Sequence, residues 1–348
     1  MKPIIGITMG DASGIGPEII LKVLKSGHYK KFCNLVVIGN KRLIDYTLNY
    51  YRYKLYTKKI DSPEDIYRLS RNTVGIIDVG GVVNGFELGH PSKAVGEIAL
   101  KCIDTAVELA KHKKIVGIVT APVNKEVVAL SYKKFTGHTE YIADKLGVNN
   151  YNMVMVSKKI KVALVTTHIA IKDVAKKLNK AKIRNTILNS SKMLEQLGKR
   201  RGKIAVLALN PHSGDGGLFG NEEARYIKPV INDLQKKGIN VSGPYVPDTF
   251  FVEYQKNPEY DVVVAMYHDQ GLIPFKMLSF GSGINVTIGL PIIRTSVDHG
   301  TAYNIAGKNK ADSNSLFEAI KFAVRLSGNT AENKIYKKRK TGYDFKNR

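Results

Sequence analysis

The sequence predicts an α/β fold built on a mainly parallel sheet. Three observations carry that reading. Short apolar runs rich in Val and Ile recur along the chain, and most are nearly continuous, as in strands buried on both faces. Segments with helical apolar spacing lie between them. The chain has 348 residues, enough for about two domains.

In chain order, "PIIGITMG" (3–10) reads as a strand, and "GPEIILKVLKSG" (16–27) as the helix after it. "NLVVIGN" (34–40) is the next strand. "KAVGEIALKCIDTAVELAKHK" (93–113) has the longest helical period and leads into the strand "IVGIVTA" (115–121). "KVALVTTH" (161–168) is a strand, followed by the helix "IRNTILNSSKMLEQLG" (183–198) and the strand "KIAVLALN" (203–210). "DVVVAMYH" (261–268) closes the strand series, and "SLFEAIKFAVRLSG" (315–328) is the last helix. No internal repeat, low-complexity segment or long linker interrupts this order. The basic, polar tail 336–348 is expected to be loose.

Composition narrows the function classes. Hydrophobic residues make up 43% of the chain and glycines number 31, which suits a globular protein with a sizeable core. No apolar run approaches the ~18 residues of a membrane span. The N-terminus meets Gly6, Gly10 and Asp11 too early for a secretory signal, so a cytoplasmic, enzyme-like protein without a membrane partner is expected. Cys33 and Cys102 sit in apolar surroundings without a metal-ligand spacing, and read as buried thiols rather than a disulfide or a nucleophile. The net charge of +24 raises nucleic acid as a partner. The basic residues are dispersed, however, and the charge fits small anions better than nucleic acid.

Chemistry in such folds gathers beyond the carboxyl ends of the strands. There the strands run into "GDASGIGPE", "TAPVNKE", "TTHIA", "NPHSGDGG" and "MYHDQG". Three of the eight histidines, His168, His212 and His268, therefore occupy equivalent positions, and Asp269 follows the last. Capping of its own strand is the alternative for each, but three imidazoles suit a borderline metal such as zinc or cobalt. Gaps of 44 and 56 residues (168 to 212, 212 to 268) exclude a compact finger-type site. "GDASGIGPE" is neither a GxGxxG nor a Walker A sequence. It reads either as an anion-binding turn at a helix N-terminus or as a tight strand-to-helix turn. "FTGHTEYIAD" (135–144) offers His138 and Thr139 as donors to a phosphate or carboxylate, with a threonine N-cap as the alternative. In "GINVTIGLPIIRTSVDHGTAYNIAGK" (283–308), Arg294 suits fork-like recognition of an oxyanion, against a surface salt bridge. The four glycines in 213–220 are read as allowing a sharp turn, with Glu222 and Glu223 opening the next helix.

Together "GITMGDASGIGPEI", "TAPVNK", "FTGHTE", "LNPHSGDGGLFGNEE", "YHDQG" and "GLPIIRTSVDHGTAYNIAGK" resemble the 4-hydroxythreonine-4-phosphate dehydrogenases, over about residues 3–325. The resemblance implies an isocitrate/isopropylmalate dehydrogenase-like fold of two α/β domains with a cleft between them. A nucleotide-binding domain would comprise approximately 1–125 plus 261–348, and a dimerisation and substrate domain approximately 126–260. It implies NAD or NADP as cofactor, held by Gly14, Asp298, His299, Gly300 and Asn304. It implies one divalent metal (Zn, Co, Mg or Mn) on His168, His212 and His268, and a phosphorylated hydroxy acid on His138, Thr139, Lys276, Asn285 and Arg294. Lys276 or Asp269 would handle the hydroxyl proton. A homodimer with interface active sites is implied, one metal ligand, His168, coming from the partner.

The family holds two activities, one on 4-phosphooxy-L-threonine in pyridoxine biosynthesis, the other on 4-phospho-D-threonate or 4-phospho-D-erythronate. "GDASG" in place of "GDPAG", and "LIPFKML", lean towards the second. A non-catalytic anion-binding protein is the reading of another class. It is disfavoured because the three histidines and Lys276 are all present.

Overall fold

The computed structural model describes residues 1–81, 83–279 and 281–328. The basic tail 336–348, expected to be loose, lies outside the described residues. The chain divides into two compact units, Met1–Asn149 with Leu290–Arg348, and Asn150–Gly289. The crossings fall at 149/150 and 289/290, later in the chain than the approximate positions expected from sequence.

The first unit begins with β1 (Ile4–Thr8), α1 (Gly16–Ser26), β2 (Asn34–Gly39), α2 (Lys41–Tyr50), β3 (Tyr56–Lys59) and β4 (Thr73–Asp78). It continues with α3 (Lys93–Lys111), β5 (Gly117–Thr120), α4 (Lys125–Ala129) and α5 (His138–Lys145). The second unit comprises β6 (Asn152–Val156), β7 (Lys161–Leu164), α6 (Val174–Lys177), α7 (Lys180–Gln196), β8 (Ile204–Leu207) and α8 (Lys228–Lys236). Then come β9 (Val241–Tyr245), α9 (Pro247–Lys256), β10 (Val262–Ala265), α10 (His268–Ser279) and β11 (Ile284–Ile288). The chain returns to the first unit with β12 (Arg294–Val297) and α11 (Asn314–Leu326).

In the first unit the strand order is β3-β4-β2-β1-β5-β12, parallel throughout. β1 is buried along its whole length, which is why its apolar run is continuous. α3 buries Val95, Ile98, Ala99, Cys102, Ile103, Ala106, Val107 and Ala110, the i, i+3, i+4 stripe of an amphipathic helix. Side chains set the helix starts. Asn40 accepts from Leu43 N, Ser92 from Val95 N, and Asn124 from Glu126 N.

In the second unit the order is β11-β6-β7-β10-β8-β9. β6 runs antiparallel to β7 and β11, while β7, β10, β8 and β9 are mutually parallel. Its core joins Met155, Val162, Leu164, Leu207, Val263 and Phe275. Both cysteines are free and buried, with their thiols pushed up to about 12 by desolvation, as the apolar surroundings predict. Among the described residues no helix is long and apolar enough to cross a membrane.

Candidate functional site

In the first unit β1, β5 and β12 are neighbours, and several candidate site residues lie on these strands and in the adjoining loops. Arg294, the first residue of β12, is only 2% exposed. Its guanidinium donates to Thr120 Oγ1 at 2.8 Å and to Thr139 Oγ1 at 3.2 Å. Burial lowers its pKa to about 10, against the opposing pull of the Glu140 carboxylate. A surface salt bridge is thereby excluded for Arg294. The N-cap of α5 is Gly137, without a side-chain bond, so the threonine-cap alternative for Thr139 also fails.

His138 opens α5. Desolvation first, then the positive charges of Arg294 and Lys125, hold its pKa well below the ordinary imidazole value. The ring is neutral at pH 7. Its Nε2 is buried and makes no hydrogen bond, so it stands ready for a ligand group. His138, Thr139 and Arg294 thus form one group, joined by Thr120 and Lys125, neither of which stands out by residue type in the sequence. Their signal was the segment "TAPVNK" at the end of a buried strand.

The loops expected to meet a nucleotide lie against one another. Ile15 N donates to Thr301 O at 2.9 Å. The Tyr303 hydroxyl donates to Asp11 Oδ2 at 2.6 Å, and Ser13 N to Asp11 Oδ1 at 2.9 Å. Asp11 is buried, and desolvation raises its pKa. A Cβ on Gly14 would meet Thr301 O at 2.6 Å, so packing of the protein against itself already requires glycine there. Gly300 differs, because a Cβ there would enter open space. In the same loop Asp298 N donates to Ser315 Oγ, His299 Nδ1 lies 3.0 Å from Gly300 O, and Asn304 is exposed. His299 Nε2 is buried without a hydrogen-bond partner.

In the second unit His168, His268 and His212 follow β7, β10 and β8, three adjacent parallel strands. The register suspected from sequence is therefore one of spatial neighbours. The ring centroids of His168 and His268 are 5.8 Å apart. Both line a cavity of about 260 Å³ with Thr167, Ile171, Tyr267 and Asp269. His268 Nδ1 lies 2.6 Å from Asp269 Oδ1, a carboxylate contact that fixes the ring orientation.

His212 opens a turn of unusual backbone geometry. Residues 212–216 are all left-handed, with φ from 41° to 84°, and the His212 ring lies 6.2 Å from that of Phe219. Among the described residues no group of three His, Cys, Asp or Glu is disposed to hold a metal. The donor chemistry suits a borderline divalent cation, yet one chain brings only two imidazoles together. Glu223 anchors the 210–220 loop from below. Its buried carboxylate accepts from Leu209 N, Asn210 N and Asn210 Nδ2 at 2.8, 2.8 and 2.9 Å. The residue does begin a helical turn, but its carboxylate serves the loop rather than only a helix dipole. Lys276 lies seven residues after Asp269 on α10, about two turns along one helix face. Asn285, on β11, has a buried Oδ1 without a hydrogen-bond partner.

Comparison with known proteins accounts for these motifs. The pattern of the pyridoxal phosphate biosynthetic protein PdxA family matches residues 31–323. The chain is 42% identical over 336 residues to a 4-hydroxythreonine-4-phosphate dehydrogenase of Desulforapulum autotrophicum, covering 96% of this chain and 98% of that protein. It is 41% identical over 326 residues to a D-threonate 4-phosphate dehydrogenase of Cupriavidus necator, covering 93% and 97%. The crystal structure of a 4-hydroxythreonine-4-phosphate dehydrogenase from Klebsiella pneumoniae superposes with a TM-score of 0.84 at 38% identity, covering 94% of this chain and all of the other. The chain belongs to the pyridoxal phosphate biosynthetic protein PdxA family.

Proposed function

We propose that the chain is an NAD(P)-dependent dehydrogenase that oxidises and decarboxylates a 4-phosphorylated 3-hydroxy acid. The observation that carries this reading is the buried Arg294, bonded to Thr120 and Thr139 beside a neutral His138. Such a group binds an oxyanion through fixed donors rather than through mobile surface charge. Relatives across nearly the full length are named as dehydrogenases of phosphorylated hydroxy acids.

In this reading His138, Thr139 and Arg294 hold the anionic ends of the substrate, with Lys276 and Asn285. Gly14, Asp298, His299, Gly300 and Asn304 contact the nucleotide. His168, His212 and His268 hold a divalent cation, with His168 supplied by a second copy of the chain. When bound, the cation supplies Lewis acidity at the substrate oxygens and the nicotinamide supplies a hydride acceptor. Lys276 or Asp269 takes the hydroxyl proton as hydride leaves the same carbon. The product, a β-keto acid, then loses CO2. The protein works in the cytoplasm as a homodimer.

A second reading within the same chemistry is a 4-phospho-D-threonate or 4-phospho-D-erythronate substrate, with a hydroxyl rather than an ammonium at C2. The Cupriavidus necator relative and the segment Gly10-Asp11-Ala12-Ser13-Gly14 favour it. The test is metal content after purification, then NAD⁺ and NADP⁺ reduction at 340 nm with each of the three phosphorylated acids. Turnover of one is expected; metal bound with no turnover of any would sink the dehydrogenase reading. His212→Ala should abolish turnover while leaving the unfolding transition in place, and unchanged activity would remove His212 from the metal site.

A further inference from the structure

We infer that Lys125 is a further anion-binding residue, whose ammonium supplies the second positive charge that a phosphoryl dianion requires beside Arg294. The inference rests on the phosphorylated-substrate reading and deepens it.

Lys125 is the first residue of α4, directly after Asn124. Asn124 accepts from Glu126 N and Val127 N at 2.9 and 3.2 Å, which fixes the helix start and with it the Lys125 backbone. Five residues earlier, Thr120 receives Arg294. The segment "TAPVNK" thus brings both cations to one place.

The side chain of Lys125 runs towards the N-terminus of α5. A Cβ placed on Gly137 would lie 3.4 Å from Lys125 Cε, 3.6 Å from its Nζ and 2.9 Å from Glu140 Oε2. Glycine at 137 therefore leaves room for both charged ends. The ammonium also acts on His138, as one of the two positive charges that disfavour imidazolium there. Lys125 forms no ion pair with a carboxylate among the described residues.

Charge balance then decides the role. Among the groups of the first unit, Arg294 brings one positive charge, the Glu140 carboxylate opposes it, and His138 is neutral. Without Lys125 these groups sum to zero. A phosphoryl group carries about −1.5 to −2 at pH 7. Hydrogen bonds from Thr139 and His138 orient such a group but do not neutralise it. Lys125 brings the sum to +1. An ammonium suits the task because it acts as a point charge on a flexible stem, while Arg294 gives direction.

The test uses the full-length protein with Lys125→Met and Lys125→Arg. Two quantities are measured: calorimetric binding of inorganic phosphate, and KM and kcat with the phosphorylated acid and with the same acid lacking its phosphoryl group. Lys125 is exposed, so both variants should keep the wild-type unfolding midpoint. Lys125→Met should weaken phosphate binding and raise KM for the phosphorylated acid by about tenfold or more, the effect of one charged contact. kcat should change little, and kcat/KM for the dephosphorylated acid should not fall. Lys125→Arg should recover most of the loss. Unchanged phosphate affinity in Lys125→Met overturns the inference, and so does an equal loss on both acids. If phosphate binding depends on Lys125 but no acid is turned over, the dehydrogenase reading fails and the inference stands. If wild type turns over the acid and Lys125→Met matches it, the inference alone fails.

Discussion

At the scale of single residues, burial converts common side chains into specific ones. Arg294 and His138 are ordinary in sequence, but desolvation weakens the charged form of each. For His138 this sets a pH dependence. The unfolded chain takes up a proton at about pH 6.5, while the folded chain resists it. Below that pH the unfolded state binds more protons, so folding weakens as pH falls; above it the histidine adds no slope. His138→Gln should flatten the loss of stability between about pH 7 and pH 5 in urea titrations. A wild-type slope retained by the variant would show that His138 is not the group responsible. Arg294 was identified in sequence by its type and its apolar surroundings. Thr139 was identified too, as an anion donor, but Thr120 and the bonds that both threonines accept from Arg294 were not, because the partners lie 174 and 155 residues away. Lys125 gave no local signal beyond its position after a strand.

At the scale of elements, the 210–220 loop shows how a backbone is held in an unfavourable conformation. Left-handed geometry costs a non-glycine residue roughly 1–2 kcal/mol. His212, Ser213 and Asp215 all adopt it. Glu223 holds the loop ends by accepting three hydrogen bonds. Glu223→Ala leaves Leu209 N and Asn210 N without that acceptor, and should cost about 2 kcal/mol or more by urea denaturation. Glu222→Ala should cost much less, because Asn210 Nδ2 keeps Glu223 as its acceptor. Equal losses would refute the anchoring role. Strands with continuous apolar runs, such as β1 and β10, were legible in sequence because both faces are buried. β3 ("YTKK") was not, since as an end strand of its unit it is mostly exposed and reads as polar. β9 carries Pro244, which argues against a strand interior but is tolerated at the end of the order.

At the scale of the whole molecule, the proposal of a shared metal site has a direct consequence. If His168 and His212 of one site come from different copies, then inactive His168→Ala and His212→Ala proteins complement each other when mixed. Random pairing makes half the dimers mixed, and each mixed dimer has one intact site, so about a quarter of wild-type activity should return. No recovery after subunit exchange, with mixed dimers verified by mass, would place both ligands in one chain. Recovery should also depend on protein concentration, measured by dilution before assay.

The sequence by itself determined the fold class, because continuous and periodic apolar patterns report burial on both faces or on one. It also determined the family, through long motifs in order, and put three histidines at strand ends. Tertiary structure decided which of these residues meet. Strand order made β7, β10 and β8 neighbours, which set the His168 ring beside that of His268 and left His212 in a left-handed turn after β8. It also decided protonation, since desolvation depends on what packs around a group. No local pattern of residues encodes that neighbourhood, because it is assembled from segments more than a hundred residues apart.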